Sequence, residues 1–163
     1  MICAVGRLLG CAEAAGAMAQ TIAMELAGLK ALPRRQRRFL YFIWREPYMV
    51  VSQATYISRM LETIGLTNAC TSENRYPSMT IEDARRLAPD LVLLSTEPYP
   101  FRERDAVRLA AAWDGHPELL KIDGQLMSWY GAMTIPGLRA LRDWSTGQPT
   151  ALVSPFPELD SRG

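Results

Sequence analysis

Histidine is almost absent from this 163-residue chain, with His116 the only one. A lone histidine cannot build the Cys/His ligand sets that hold zinc, so a histidine-based metal centre is not expected. It lies in Asp114-Gly115-His116-Pro117, which reads as a surface turn. Cysteine is sparse as well: Cys3, Cys11 and Cys70. Cys3 and Cys11 fall on one expected helix, where eight residues rise about 12 Å, beyond the reach of a disulfide. Charge of one sign is lacking, since 18 Lys+Arg against 17 Asp+Glu leave +1. That balance offers no global attraction to nucleic acid or to a membrane surface. A glycine-rich phosphate loop and a Gly-x-Ser-x-Gly nucleophile turn are both missing. Cys70 has no histidine near it in sequence, and although Glu73, Glu97 and Asp123 could pair as carboxylates, no spacing compels it.

Long uninterrupted apolar runs are missing too. Residues 2–29 are rich in Ala, Leu, Met and Gly but lack a basic start and are broken by Arg7, Glu13, Gln20 and Glu25. The segment reads as neither a membrane span nor an export leader. Leu8-Leu9-Gly10-Cys11 imitates a lipoprotein cleavage site, but the apolar stretch before it is short and holds Arg7.

What is present is an alternation of elements. Apolar residues recur at helical spacing from Val5 to Leu29, which predicts one helix of roughly 25 residues. Its small residues, Gly6, Gly10 and Gly16 among them, would let other elements approach closely. The basic run Arg34, Arg35, Arg37, Arg38 reads as a solvated linker. Phe39 to Trp44 is an apolar run of strand length, as are Asp90 to Ser95 and the shorter Leu119 to Asp123. Such runs suit strands buried on both faces. Helices are expected over 55–64, from Thr80 to near Pro89 with Thr80 as N-cap and Asp83 three residues on, over 104–113 and over 134–144. The proline-bearing tail from Ser145 reads as loose. Strands alternating with helices predict an α/β fold with a parallel sheet. Its ligands would meet the loops at the carboxyl ends of the strands, 45–53, 97–102 and 124–133. Those loops carry Tyr48, Tyr99, Phe101, Trp129 and Tyr130, with Trp44 at a strand end. The rings either cover the sheet end or form a surface for a flat, bulky ligand.

Several strings then carry a resemblance. They are Ile43-Trp44-Arg45-Glu46-Pro47-Tyr48-Met49, Thr55-Tyr56-Ile57, Gly65, Arg75-Tyr76-Pro77, and Ile81-Glu82-Asp83 through Ala88-Pro89-Asp90 to Leu94. Glu97-Pro98-Tyr99-Pro100-Phe101, Asp123-Gly124 and Trp129-Tyr130-Gly131 follow. The ordered set, from about residue 5 to 144, resembles the second lobe of type III (helical-backbone) periplasmic solute-binding proteins of ABC importers, and most of all their cobalamin-binding branch. The resemblance implies two Rossmann-like three-layer lobes joined by one long helix, with the ligand between them. On that basis 1–33 is the backbone helix, 34–147 the C-terminal lobe and 148–163 a loose tail. The N-terminal lobe would lie upstream or be supplied by a partner chain. The location implied is periplasmic or cell-surface.

The resemblance implies no catalysis, no cofactor and no metal, no nucleic acid and no membrane insertion, but a corrinoid ligand and a permease partner. It marks Trp44, Pro47, Tyr48, Met49, Glu97, Tyr99, Phe101, Trp129 and Tyr130 as ligand-binding. It marks Glu82 as the acid that docks on permease arginines; read alone, Glu82 is equally a charge favoured by its helix dipole. Relatives of this fold bind haem or iron siderophores. The sequence departs from the pattern at Ala132 and Met133, where a basic residue is common, and at Asp105, where a histidine is common. The rival class is a flavodoxin-like enzyme or nucleotide-binding domain. It would want a glycine turn after the first strand, where Arg45-Glu46-Pro47 stands instead.

Overall fold

Three expected strands organise the computed structural model, which describes residues 1–113 and 117–160. They are β1 (Arg38–Trp44), β4 (Leu91–Ser95) and β5 (Glu118–Ile122), parallel and adjacent in that order. Their side chains alternate between two cores. Phe39, Tyr41, Leu91 and Leu93 face one; Leu40, Phe42, Val92 and Leu94 face the other, all fully buried. This two-sided burial is why these segments read as unbroken apolar runs. Short strands finish the edges. β2 (Met49–Val50) pairs antiparallel with the end of β1, and β3 (Thr67–Asn68) pairs parallel with its start. β6 (Val153–Pro155) pairs antiparallel with β5.

Helices cover both faces, giving the three-layer α/β arrangement. Against the first core lie α2 (Ala12–Lys30), α3 (Tyr56–Glu62), α6 (Gly124–Ser128) and α7 (Thr134–Thr146), through Leu29, Leu61, Met127 and Leu138. Against the second lie α4 (Ile81–Arg86), α5 (Glu103–Ala112) and α8 (Pro157–Asp160), through Ala84, Leu109 and Leu159. Thr55 and Thr80 cap α3 and α4, their hydroxyls accepting from Ser58 N and Asp83 N.

Three expectations are corrected. The single helix over 5–29 is two, α1 (Ile2–Leu8) and α2, because Gly10 adopts φ 70° and reverses the chain. α1 folds back on α2 so closely that a Cβ on Gly6 would collide with that of Ala15. The tail is built in. Gly147 (φ 74°) closes α7, Leu152 is buried in the first core and Phe156 in the second, and β6 extends the sheet. Pro155 is tolerated there because β6 is an edge strand. Finally, the arginine run is not merely solvated. Arg35 stacks on Trp144 at 4.9 Å and donates to its carbonyl, and Arg37 pairs with Glu118 at 2.6 Å. His116 lies outside the described residues.

Candidate functional site

Because β1, β4 and β5 are parallel, Trp44, Ser95 and Ile122 end on one edge of the sheet, and the loops that follow meet there. Backbone and hydroxyl bonds join those loops. Tyr99 N donates to Ile43 O at 3.3 Å, and Gly124 N to Thr96 Oγ1 at 2.9 Å. Beneath them Ser95 Oγ donates to Glu97 O at 2.6 Å. That uses the only serine proton, so the buried Tyr41 hydroxyl, 3.0 Å away, donates to Ser95. Burial pushes the Tyr41 hydroxyl well above its ordinary pKa, the Ser95 bond offsets part of this, and the Asp123 and Glu97 charges add to it. Gly124 is required by crowding: a Cβ there would lie 2.6 Å from Glu97 Cγ and 2.7 Å from Ser95 Oγ.

The same loops expose three large rings. Trp129 is 52% exposed yet fixed, its Nε1 donating to Glu97 Oε1 at 2.8 Å. Tyr130, 57% exposed, rests on Tyr56 with centroids 4.6 Å apart. The Tyr56 hydroxyl lies 3.0 Å from Thr134 Oγ1, and partial burial raises its pKa. Trp44, at 40% exposure, meets Tyr99 edge-on at 5.8 Å. One exposed ring, Trp129, is thus held by a polar bond, and two, Tyr130 and Trp44, by contact with another ring.

Not every expected residue joins these rings. Phe101 is corrected to a core residue: only 3% exposed, it supports Tyr99 at 4.8 Å and Phe42 at 6.4 Å. Tyr48 is half-buried, edge-on to Phe42, and Met49 is half-buried in β2. Pro47 is exposed in the loop between β1 and β2. The suggested carboxylate pairing is not assembled as a catalytic pair. Asp123 caps α6, Glu97 holds Trp129, and Glu73 is exposed in a separate loop.

The sequence did not single out Tyr56 or the ion pair under the rim. Asp105, 1% exposed, accepts from Arg45 Nη1 at 2.7 Å and from Arg102 N at 2.9 Å. Arg45 Nη2 reaches Glu46 at 2.9 Å. Tyr99 first, then Glu46 and Asp105, raise the Arg45 pKa against partial desolvation. Asp105 therefore supports the loops from below and does not line the surface. The available signals were Tyr56 at the start of the helix expected over 55–64 and Arg45 beside Trp44.

Glu82 is exposed in the first turn of α4. Its neighbour Asp83 does the structural work, binding Thr80 Oγ1 at 2.8 Å and Arg86 at 2.6 Å. The start of α4 is tied to the loop after β1 by Met79 N donating to Tyr48 O at 3.0 Å. Among the described residues, no group of three His, Cys, Asp or Glu could hold a metal ion, and no helix is long and apolar enough to cross a membrane.

No family model matches the chain, and no curated protein matches it in sequence. Solved structures do match the fold. One is a possible iron-binding periplasmic solute-binding protein from Staphylococcus epidermidis, at 16% identity and TM-score 0.73, covering 87% of this chain and 58% of that one. Another is the periplasmic vitamin B12 binding protein of Vibrio cholerae, at 15% and 0.60, covering 82% of this chain and 52% of that one. A third is a periplasmic haem-binding protein from Pseudomonas aeruginosa, at 21% and 0.67, covering 94% and 62%. The chain thus spans between half and two thirds of the length of these structures. At these identities the likeness establishes the fold, that of one part of a periplasmic solute-binding protein.

Proposed function

We propose that this chain is the C-terminal lobe of the solute-binding component of an ABC importer, works without catalysis outside the cytoplasmic membrane, and holds cobalamin or a related corrinoid. The carrying observation is that three large rings, Trp44, Trp129 and Tyr130, are exposed in the loops at the carboxyl edge, each with a partner: Tyr99, Glu97 and Tyr56 respectively. Fixed rings bind a flat macrocycle without the entropy cost of ordering loose side chains. The fold likeness supports the transport role, and one matched structure is a vitamin B12 binding protein. A second lobe or a partner chain closes the ligand from the other side, and Glu82 faces basic residues of the permease.

Haem is the second reading, favoured by matched structures that bind it, such as those from Pseudomonas aeruginosa and Roseiflexus. Titration calorimetry separates the two. Cyanocobalamin should bind weakly and saturably, less so after Trp129→Ala, and haem should bind more poorly. Tighter haem binding moves the assignment to haem. Binding of neither sets both aside.

A further inference from the structure

Resting on the ring-binding reading above, we infer that Glu97 sets the charge class of the ligand: the site takes a macrocycle edged with amides and disfavours one edged with carboxylates. Glu97 Oε1 accepts from Trp129 Nε1 at 2.8 Å, which places the carboxylate alongside an indole 52% exposed. Its other oxygen has no partner among the described residues. The bond from Ser95 to the Glu97 carbonyl fixes the backbone from which this side chain extends.

Neither arginine of these loops, Arg45 or Arg102, bonds the Glu97 carboxylate among the described residues. Glu46 is exposed in the neighbouring loop, and Arg45 is committed to Asp105 and Glu46. Arg102, the other arginine of these loops, is exposed at the head of α5, one residue after the buried Phe101. A ligand lying on Trp129 therefore brings its edge to an acceptor-only group. An amide N–H satisfies that group, whereas a carboxylate meets like charge.

The test compares the same ring in two charge states. The full chain is titrated at low salt with cyanocobalamin and with its derivatives in which one side-chain amide is hydrolysed to a carboxylate. Like charges at contact on an exposed rim weaken binding of at least one derivative about five-fold, and the gap narrows as salt rises. Glu97→Gln keeps an oxygen for the Trp129 N–H and removes the charge, so the gap should close. The salt dependence of the unaltered protein gives the same reading without any variant. Equal affinities, a preference for the acids, or an unchanged gap in Glu97→Gln would overturn the proposal and leave ring binding standing. If neither ligand binds, the ring-binding reading itself falls, and this inference with it.

Discussion

Gly124→Ala sets two physical effects against each other. Gly124 opens the short helix α6, and propensity alone favours alanine there by up to roughly 1 kcal/mol. Sterics oppose it. The new Cβ would lie 2.6 Å from Glu97 Cγ, 2.7 Å from Ser95 Oγ and 3.0 Å from Glu97 O. Glu97 Cγ belongs to a side chain that can swing aside. Ser95 cannot, being fully buried and bonded to Tyr41 and to the Glu97 carbonyl, and the third atom is backbone. Restoring ordinary contact means moving the loop after β4 by several tenths of an ångström. Overpacking of this kind costs about 1–3 kcal/mol, which exceeds the gain from propensity. Net of that gain, a loss of about 1–2 kcal/mol lowers Tm by roughly 2–8 °C in a chain of this size. The shift that relieves the clash also displaces Glu97 from Trp129, so ring binding should weaken alongside stability. Thermal and urea unfolding by circular dichroism read the first effect, and calorimetry the second. A Tm equal to or above that of the parent would refute the claim that close packing at Gly124 builds the site.

Other perturbations follow from the same contacts. Asp105→Ala removes a buried partner from Arg45 and should destabilise several times more than Glu118→Ala, which opens a half-exposed pair worth about 0–1 kcal/mol; urea midpoints compare the two. Thr80→Ala removes the α4 cap at a cost of about 1 kcal/mol near neutral pH. The Thr80 hydroxyl, then Arg86, lowers the Asp83 pKa, so this support is full above the ordinary carboxylate range and fades as pH falls below about 4. The penalty of Thr80→Ala should therefore shrink in acid; an equal penalty at pH 3 and 7 would exclude the Asp83 contribution. Glu82→Arg in a transport-competent assembly should leave ligand binding intact and impair uptake, because like charges would then face each other. Parental uptake by that protein would make Glu82 an ordinary helix-start charge.

The central sheet was legible because β1 and β4 are apolar on both faces, leaving a run of strand length as its own signature. The Thr80 cap was legible for a similarly local reason, a hydroxyl three residues before the amide it accepts. The break between α1 and α2 was not, because an isolated glycine inside helical periodicity does not announce whether it will turn. The tail misled because its prolines signal loop, while Leu152 and Phe156 are anchored by cores formed much earlier in the chain. Within the site, Trp129, Tyr130 and Trp44 stand where their loops suggested. Phe101 shares its loop with Tyr99 yet turns inward, and no local pattern separates the two. The Arg45–Asp105 pair spans 60 residues, a contact that only the folded chain creates.

The four tryptophans make the central claim directly testable, since two of them are built-in controls. Trp44 and Trp129 lie at the carboxyl edge, whereas Trp113 and Trp144 are each 8% exposed in the two cores. In nitrogen-15-labelled protein each indole N–H gives its own resonance. Titration with cyanocobalamin should shift the Trp129 and Trp44 signals saturably and leave those of Trp113 and Trp144 in place. Shifts confined to the buried pair, or four unmoved resonances at millimolar ligand, would contradict a ring-binding surface at this edge of the sheet.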